Sequence, residues 1–125
     1  MQQATSIHNV DRSFTKLQAT AMFNPVTVAS ADGAITARSG TVLITKAGVA
    51  VLTLAAPSTA DNGKQLDIMA TTANAHTVTN TTPGFNNAGN AKDVATFGGA
   101  VGDNMSVVAY NGVWYVKNVI NVTFA

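Results

Sequence analysis

From residue 26 onward, the sequence is a succession of short runs rich in Val, Ile, Thr and aromatic residues, separated by Gly, Asn, Asp and Pro. Such runs are typical of strands, and the turn residues between them leave no stretch long enough for a central helix. We therefore expect an all-β domain of short antiparallel strands, built as a jelly-roll-like β-sandwich or as a barrel. The predicted strands cover residues 26–29, 34–38, 41–46, 49–54, 64–70, 75–80, 94–97, 104–110, 113–117 and 121–124.

Two places in the sequence predict tight hairpins. Asn111-Gly112 lies between two apolar runs, and this dipeptide favours a type I′ turn because both residues tolerate a positive φ. Residues 41–46 and 49–54 are β-branched runs on either side of Ala47-Gly48. We expect these runs to pair as a second hairpin, with Gly48 in the positive-φ region.

Residues 1–25 differ from the rest and predict an N-terminal arm ahead of one β-sandwich domain over residues 26–125. Asp11 or Ser13 can cap a short helix on which residues 14, 17 and 21 share a face, and Asn24-Pro25 ends it. So short a helix needs a surface to dock on, either its own domain or a neighbouring subunit. The candidate partner-binding residues of the arm are Ile7, Val10, Phe14, Leu17, Met22 and Phe23.

The low charge of the chain indicates surfaces that contact other protein. Charged residues make up 10% of the sequence, against about 25% in an average domain. A net charge of +1 argues against nucleic-acid binding, which needs several cations on one face. The N-terminus has no basic and apolar leader pattern, and no apolar run approaches the roughly 20 residues of a membrane span. We expect a homo-oligomer that contacts neither nucleic acid nor membrane.

Residues able to carry chemistry are few and scattered. Cysteine is absent, which removes disulfides and thiolate chemistry, and the histidines are His8, in the arm, and His76, expected to be half-exposed on a strand. Asp61, Asn62 and Asp67 faintly resemble a calcium loop, but such a loop ends on Glu and this chain has none, so a turn is predicted. We predict no catalytic residue, no metal and no cofactor, and hence a protein that is not an enzyme.

The aromatic residues of the last hairpin have two possible roles. Strand alternation places Trp114 and Tyr115 on opposite faces. Trp114 is predicted to anchor the core, as the one Trp of the chain. Exposed Tyr110 and Tyr115 would instead form a platform on which a sugar can stack.

The order of several stretches along the sequence resembles that of a known class of small β-domains. An apolar strand region leads to a proline loop, a glycine and a second strand; a Thr-rich strand and a Gly-rich loop follow, and the module ends on Asn-Gly-x-Trp. The stretches are residues 40–56, 57 with 61–68, 76–79 and 107–116. This order resembles the small β-modules of tailed-bacteriophage virions, over about residues 40–124.

Within that class, a chain of this length with an N-terminal arm is similar to the capsid decoration (cement) proteins. The resemblance implies a structural protein made in the host cytoplasm and carried on the outer capsid surface of the virion. It would be a homotrimer that binds across major capsid protein subunits, with the apolar residues of the arm reaching into the shell. The same module occurs at the ends of tail and head fibres, which bind receptors or glycans. A tail or connector protein forming hexameric rings is a further alternative.

Overall fold

The computed structural model describes residues 25–125, so the predicted arm and its six candidate partner-binding residues lie outside the described residues, apart from Pro25. Within this range the chain is all-β, as predicted, with three short 3-10 segments between strands. The strands are β1 (Val26–Ala29), β2 (Gly33–Ile35), β3 (Gly40–Ile44), β4 (Val51–Leu54), β5 (Gln65–Ala70), β6 (Thr77–Thr79), β7 (Val94–Phe97), β8 (Asn104–Tyr110), β9 (Val113–Ile120) and β10 (Val122–Phe124).

The strands form two open sheets of five strands each, consistent with the predicted β-sandwich and not with a closed barrel. We call the sheet in the order β1-β3-β5-β8-β9 the front sheet, and the sheet in the order β10-β7-β6-β4-β2 the back sheet. Both are mixed. The expectation of antiparallel strands throughout is wrong for the first half of the chain, where β1, β3 and β5 pair in parallel, as do β2, β4 and β6.

The parallel pairs arise because the first six strands wind as a flattened coil. Each turn of the coil gives one strand to the front sheet and the next strand to the back sheet, so β3 lies beside β1 and β4 beside β2. The later strands pair antiparallel: β7 lies beside β6, and β8 and β9 extend the front sheet next to β5. Strand β10 returns to the back sheet beside β7.

The hairpin predicted over residues 41–54 is wrong. Strand β3 belongs to the front sheet and β4 to the back sheet, so the chain crosses between the sheets through Ala47-Gly48. Gly48 is not among the residues with positive φ. A glycine between two β-branched runs marks a change of direction, but it does not specify whether the second run pairs with the first or with a strand of the other sheet.

Hydrogen bonds join the crossings, which are the segments where successive turns of the coil pass from one sheet to the other. The Lys46 ammonium donates to Asp32 Oδ1 at 2.8 Å, which ties the β3–β4 crossing to the β1–β2 bend. Thr72 Oγ1 donates to the carbonyl of Lys46 at 2.7 Å, and Asn74 Nδ2 donates to that of Ala47 at 3.0 Å. The β5–β6 connection is thereby fastened to the same crossing.

His76 lies among these crossings, fully buried, and the expectation that it is half-exposed is wrong. Its Nδ1 accepts a hydrogen bond from the backbone N–H of Ala50 at 2.9 Å, and its Nε2 lies 3.2 Å from the carbonyl of Thr72. The edge of its ring packs against Phe97. The residue was predicted to lie on a strand over residues 75–80, but it precedes β6 and lies in the β5–β6 connection, where the neighbouring crossing packs on it and buries it.

The hairpin predicted at Asn111-Gly112 is confirmed. Strands β8 and β9 pair antiparallel, and Asn111 and Gly112 have φ values of 48° and 78°, as a type I′ turn requires. A bulge between Ser106 and Val107 shifts the register farther along this pair.

Trp114 anchors the core between the sheets, as predicted. Its side chain is fully buried, and its indole N–H donates to the carbonyl of Ala55 at 3.0 Å. The other large, fully buried apolar side chains come from both sheets and from the loop before β7: Phe85, Phe97, Ile44, Leu52, Leu54, Leu66, Ile68 and Met105.

Replacing Trp114 with Ala should strongly destabilise the domain. The change leaves a cavity and removes the indole hydrogen bond to the carbonyl of Ala55, which keeps its bond from Arg38. We expect a loss of about 3–5 kcal/mol, a large part of the roughly 5–15 kcal/mol that holds a domain folded. Urea unfolding followed by circular dichroism measures this loss without relying on tryptophan fluorescence. Tyr110→Ala, on the exposed end of the neighbouring strand, is the control and should change stability by about 0.5 kcal/mol or less. A Trp114→Ala variant of normal stability that had lost a ligand would contradict the core role and favour sugar binding.

Candidate interaction surface

His76 is held in a tautomer that does not suit general-base chemistry on its neighbour. Because Nδ1 accepts the Ala50 N–H, the proton of the neutral imidazole lies on Nε2. That nitrogen lies 3.1 Å from Thr72 Oγ1, whose own proton goes to the carbonyl of Lys46. The Thr72–His76 pair is thus a structural cross-link between two crossings, with no free lone pair on the imidazole to activate the hydroxyl.

The three residues considered as a calcium loop make separate contacts. Asp61 Oδ2 accepts a hydrogen bond from the backbone N–H of Ser58 at 2.9 Å, which closes the predicted turn, and this bond lowers the pKa of Asp61. Asn62 Oδ1 accepts from the backbone N–H of Asn111, and Asp67 accepts from the Ser106 hydroxyl. Across residues 25–125, no three His, Cys, Asp or Glu side chains come together as metal ligands would.

Asp103 is a buried carboxylate that the sequence did not single out. Its Oδ2 accepts the backbone N–H of Ala100 at 2.9 Å, and the Asn121 side-chain amide lies 3.1 Å from both carboxylate oxygens. A Cβ at Gly98 would overlap the Asn121 side chain, so a larger residue there would displace the amide that binds Asp103. The bond from Ala100 lowers the pKa of Asp103; desolvation by burial acts in the opposite direction, and the Asn121 amide lowers the pKa further. Asp103 joins the β7–β8 loop to the turn before β10.

The outer face of the front sheet carries a row of mostly apolar side chains. Strand register aligns one residue from each of the five strands, and partners in register share a face. Val28 and Ile120, at the two ends, are 57% and 55% exposed, and Met69 is 37% exposed. We call this set the aliphatic row; in order across the sheet it is Val28, Leu43, Met69, Asn104 and Ile120.

The row beside it on the same face is mainly polar. It begins at the exposed Val26 and continues through Thr41, Asp67, Ser106 and Asn118. The ten strands contain two charged residues, Asp67 in β5 and Lys117 in β9. The Lys117 ammonium donates to Gln65 Oε1 at 2.9 Å. The aliphatic row is therefore a narrow apolar stripe on an almost uncharged face.

The outer face of the back sheet has a different character, because threonines dominate it. In register across four strands lie Val51, Thr77, Thr96 and Thr123, and the next row contains Thr53, Thr79 and Val94. Hydroxyls hydrogen-bond to water without carrying charge. The back face is thus suited to solvent and the aliphatic row to contact with protein.

Tyr110 and Tyr115 lie toward the hairpin end of the front face. Tyr110 is 57% exposed, and Tyr115 pairs in register with Val108. Their diagonal positions on adjacent strands place both rings on one face. The predicted opposite orientation of Trp114 and Tyr115 is confirmed, since Trp114 is buried.

A cleft of about 280 Å³ opens beside the first coil turn, where β1 and β2 are the edge strands of the two sheets in the part of the chain that the structure describes. Small residues of β1, β2 and their connection form its walls, and the buried Val42 and Leu52 lie at its base. A second cleft of about 290 Å³ lies beside the back sheet, lined mainly by Thr and Ala. Neither contains a cluster of ionisable side chains.

The comparisons with known proteins give no family or relative for this chain. No protein-family model matches the sequence, and none of the curated proteins matches it. In residues 25–125, no helix has both the length and the apolar character that crossing a membrane requires.

Stability should decrease in acid in part through Asp103. Because its pKa in the folded protein is lowered, the carboxylate contributes stability above its ordinary pKa of about 3.9. This contribution is lost as the pH falls through the lower folded-state value. Asp103→Asn should be less stable than the wild type at pH 7, and the difference in melting temperature should shrink as the pH approaches 2. A difference that stays constant across this range would show that the charge of Asp103 contributes nothing.

Proposed function

We propose that this protein is a structural component of a bacteriophage virion that decorates the outer capsid surface and stabilises it by binding across major capsid protein subunits. The observation that carries the proposal is the aliphatic row on an almost uncharged sheet face, because exposed apolar surface of this kind marks contact with protein. The resemblance to phage β-modules in the order of elements supports a virion protein, and the predicted N-terminal arm supports the choice of a capsid.

The mechanism is binding alone. A capsid under internal pressure fails where its subunits meet, and a protein that contacts several subunits adds contact area at these seams. A ligand that binds the assembled form stabilises it by mass action, and linking several weak contacts in one oligomer raises the overall affinity. A homotrimer would supply such linked contacts. The threonine-rich back face would then remain toward solvent.

Co-sedimentation with capsid shells tests this function with matched variants. The shells are assembled from the major capsid protein of the same virion, and they are mixed with wild type, Val28→Lys or Val51→Lys protein. Val28 and Val51 are both exposed strand valines, 57% and 53%, on the front and back faces respectively. A lysine in the aliphatic row should reduce binding to the shells, since a charge would have to be desolvated in the contact. Val51→Lys should bind as the wild type does.

Wild-type protein that fails to co-sediment would contradict the capsid assignment. Cryo-electron microscopy of virions, with density for the protein on the tail instead of the shell, would also do so. Equal binding by all three proteins would show that the front face is not the contact surface.

The exposed tyrosines favour a second candidate, a receptor- or glycan-binding module of a tail or head fibre. Aromatic rings at diagonal positions on one face can stack on sugar rings. Glycan binding by the purified protein that is lost in Tyr110→Ala, with no binding to shells, would favour the fibre. Rings of six copies in solution would instead favour a tail or connector protein.

Deleting residues 1–24 should weaken assembly more than it weakens the fold. The arm's large apolar residues are widely spaced, and the core of residues 25–125 already contains Trp114 and its neighbours. The truncated protein should show β-type circular dichroism and a similar melting temperature. Light scattering should show smaller oligomers, because burying an apolar side chain of this size is worth about 1.5–3 kcal/mol. An unfolded truncation product would show that the arm belongs to the sandwich, and the Pro57–Gly63 and Thr81–Asn90 loops would become the next candidate contact surfaces.

A further inference from the structure

We propose that the aliphatic row is the docking site for the N-terminal segment, residues 1–24, of a second copy of this chain. The inference deepens the proposed function by naming a second copy as the occupant of the aliphatic row. The row then builds the oligomer whose linked contacts bind the shell, so a lysine in the row weakens shell binding by weakening the oligomer. The inference rests on the proposed function only in taking this face as a protein interface. Four observations carry it: the shape of the row, the chemistry of its one polar member, the composition of the segment, and the point at which the segment joins the domain.

The row is long and narrow. It crosses five strands, and at about 4.8 Å between neighbouring strands its length is roughly 19 Å. The mainly polar row beside it, with Asp67 and Ser106 joined by a hydrogen bond, limits its width on that side to one side chain. A flat sheet from another protein would cover both rows. A single helix or strand fits the aliphatic row alone.

The one polar residue of the row does not need a polar partner. Asn104 Nδ2 donates to the carbonyl of Gly102 at 2.8 Å, so its amide already has an acceptor within its own strand end. An apolar side chain can therefore cover Asn104 without leaving its N–H groups wholly unpaired, which would cost about 1–3 kcal/mol. The whole row is available to an apolar ligand.

The N-terminal segment provides an apolar face that fits within the row. In the helix that its sequence predicts, Phe14, Leu17 and Ala21 lie on one side at i, i+3 and i+7 spacing. At 1.5 Å per residue these side chains span roughly 10 Å, about half the length of the row. The segment's charged residues, Asp11, Arg12 and Lys16, fall outside this face. The face can thus lie along the row without burying a charge.

The segment joins the domain at the edge strand of the front sheet. The carbonyl of Pro25 accepts the Thr41 N–H at 2.9 Å, and a Cβ at Gly40 would overlap Pro25, so this corner is closely packed. Strand β1 follows Pro25 and carries Val28, the first residue of the row, so the segment joins the domain beside one end of the row. With a reach of roughly 3.3 Å per residue, the segment can extend to an adjacent copy.

Single-cysteine variants test the contact directly, because the chain has no cysteine of its own. Leu17→Cys protein carrying a mass tag is mixed with untagged Met69→Cys protein and oxidised. A disulfide requires Cα atoms within about 7 Å, so a heterodimer on a non-reducing gel forms only if the segment of one copy lies on the row of another. The matched control replaces Met69→Cys with Val51→Cys, on the back face. We expect heterodimer with Met69→Cys and little or none with Val51→Cys.

Other results would overturn the inference. Equal yields from the two faces would mean random collision. In the double variant Leu17→Cys/Met69→Cys, a cross-linked monomer without heterodimer in the mixing experiment would mean that the segment covers its own domain. If a cysteine variant lost its circular dichroism signal, Ile120→Lys would replace the cross-link, and light scattering should then show smaller oligomers than for Val51→Lys; equal sizes would overturn the inference.

The outcomes separate this inference from the proposed function. If the protein binds shells but does not cross-link, the proposed capsid function is supported and the docking of the segment is contradicted. If the protein cross-links but does not bind shells, the docking is supported and the proposed capsid function is contradicted.

Discussion

Where the chain crosses between the two sheets, its backbone amides and carbonyls have no neighbouring strand to pair with. The fold depends on giving these groups other hydrogen-bond partners. A buried polar group left without a partner costs about 1–3 kcal/mol. On one side of the sandwich, His76 pairs with the Ala50 N–H, and Thr72 pairs with the carbonyl of Lys46. On the other, the carbonyl of Ala55 accepts both the Arg38 guanidinium and the Trp114 indole. These side chains provide partners for backbone groups at the points where the chain changes sheets.

Local signals in the sequence predicted the elements well. Asn111-Gly112 encodes a type I′ hairpin through its own backbone preferences, and Trp114 is buried because a lone large aromatic residue on an alternating strand has its best site in the core. The strand positions follow from the same period of two. The pairing of 41–46 with 49–54 could not be predicted in this way. Alternation specifies which face of a strand is buried, but both sheets of a sandwich bury a face, so the sheet to which a strand belongs is left undetermined.

The candidate surface was predictable only in part. Low charge indicated contact surfaces, and alternation places Met69 outside the core. Strict alternation from the buried Trp114 would turn Ile120 toward the core, and Ile120 faces outward because of the bulge in the β8–β9 pair. The alignment of both residues with Val28 depends on parallel register between strands that are distant in sequence. The burial of His76 and Asp103 was not predicted for the same reason. Each residue binds groups in the connections between strands, and a connection becomes buried only when another connection packs on it. The contrast between the two outer faces likewise appears only after register has placed the threonines of four back-sheet strands side by side.

The flattened coil has a consequence for how such a domain can change in size over evolution. Each turn of the coil pairs with the turn before it, while the first turn, β1 and β2, is followed by no further strand at one edge of each sheet within residues 25–125. A duplicated turn placed ahead of β1 would find unpaired strand edges in both sheets and the open cleft above Val42 and Leu52 to fill. Turns could be gained or lost at this end while the antiparallel closing strands stayed unchanged, as repeats are added to a solenoid beside its cap.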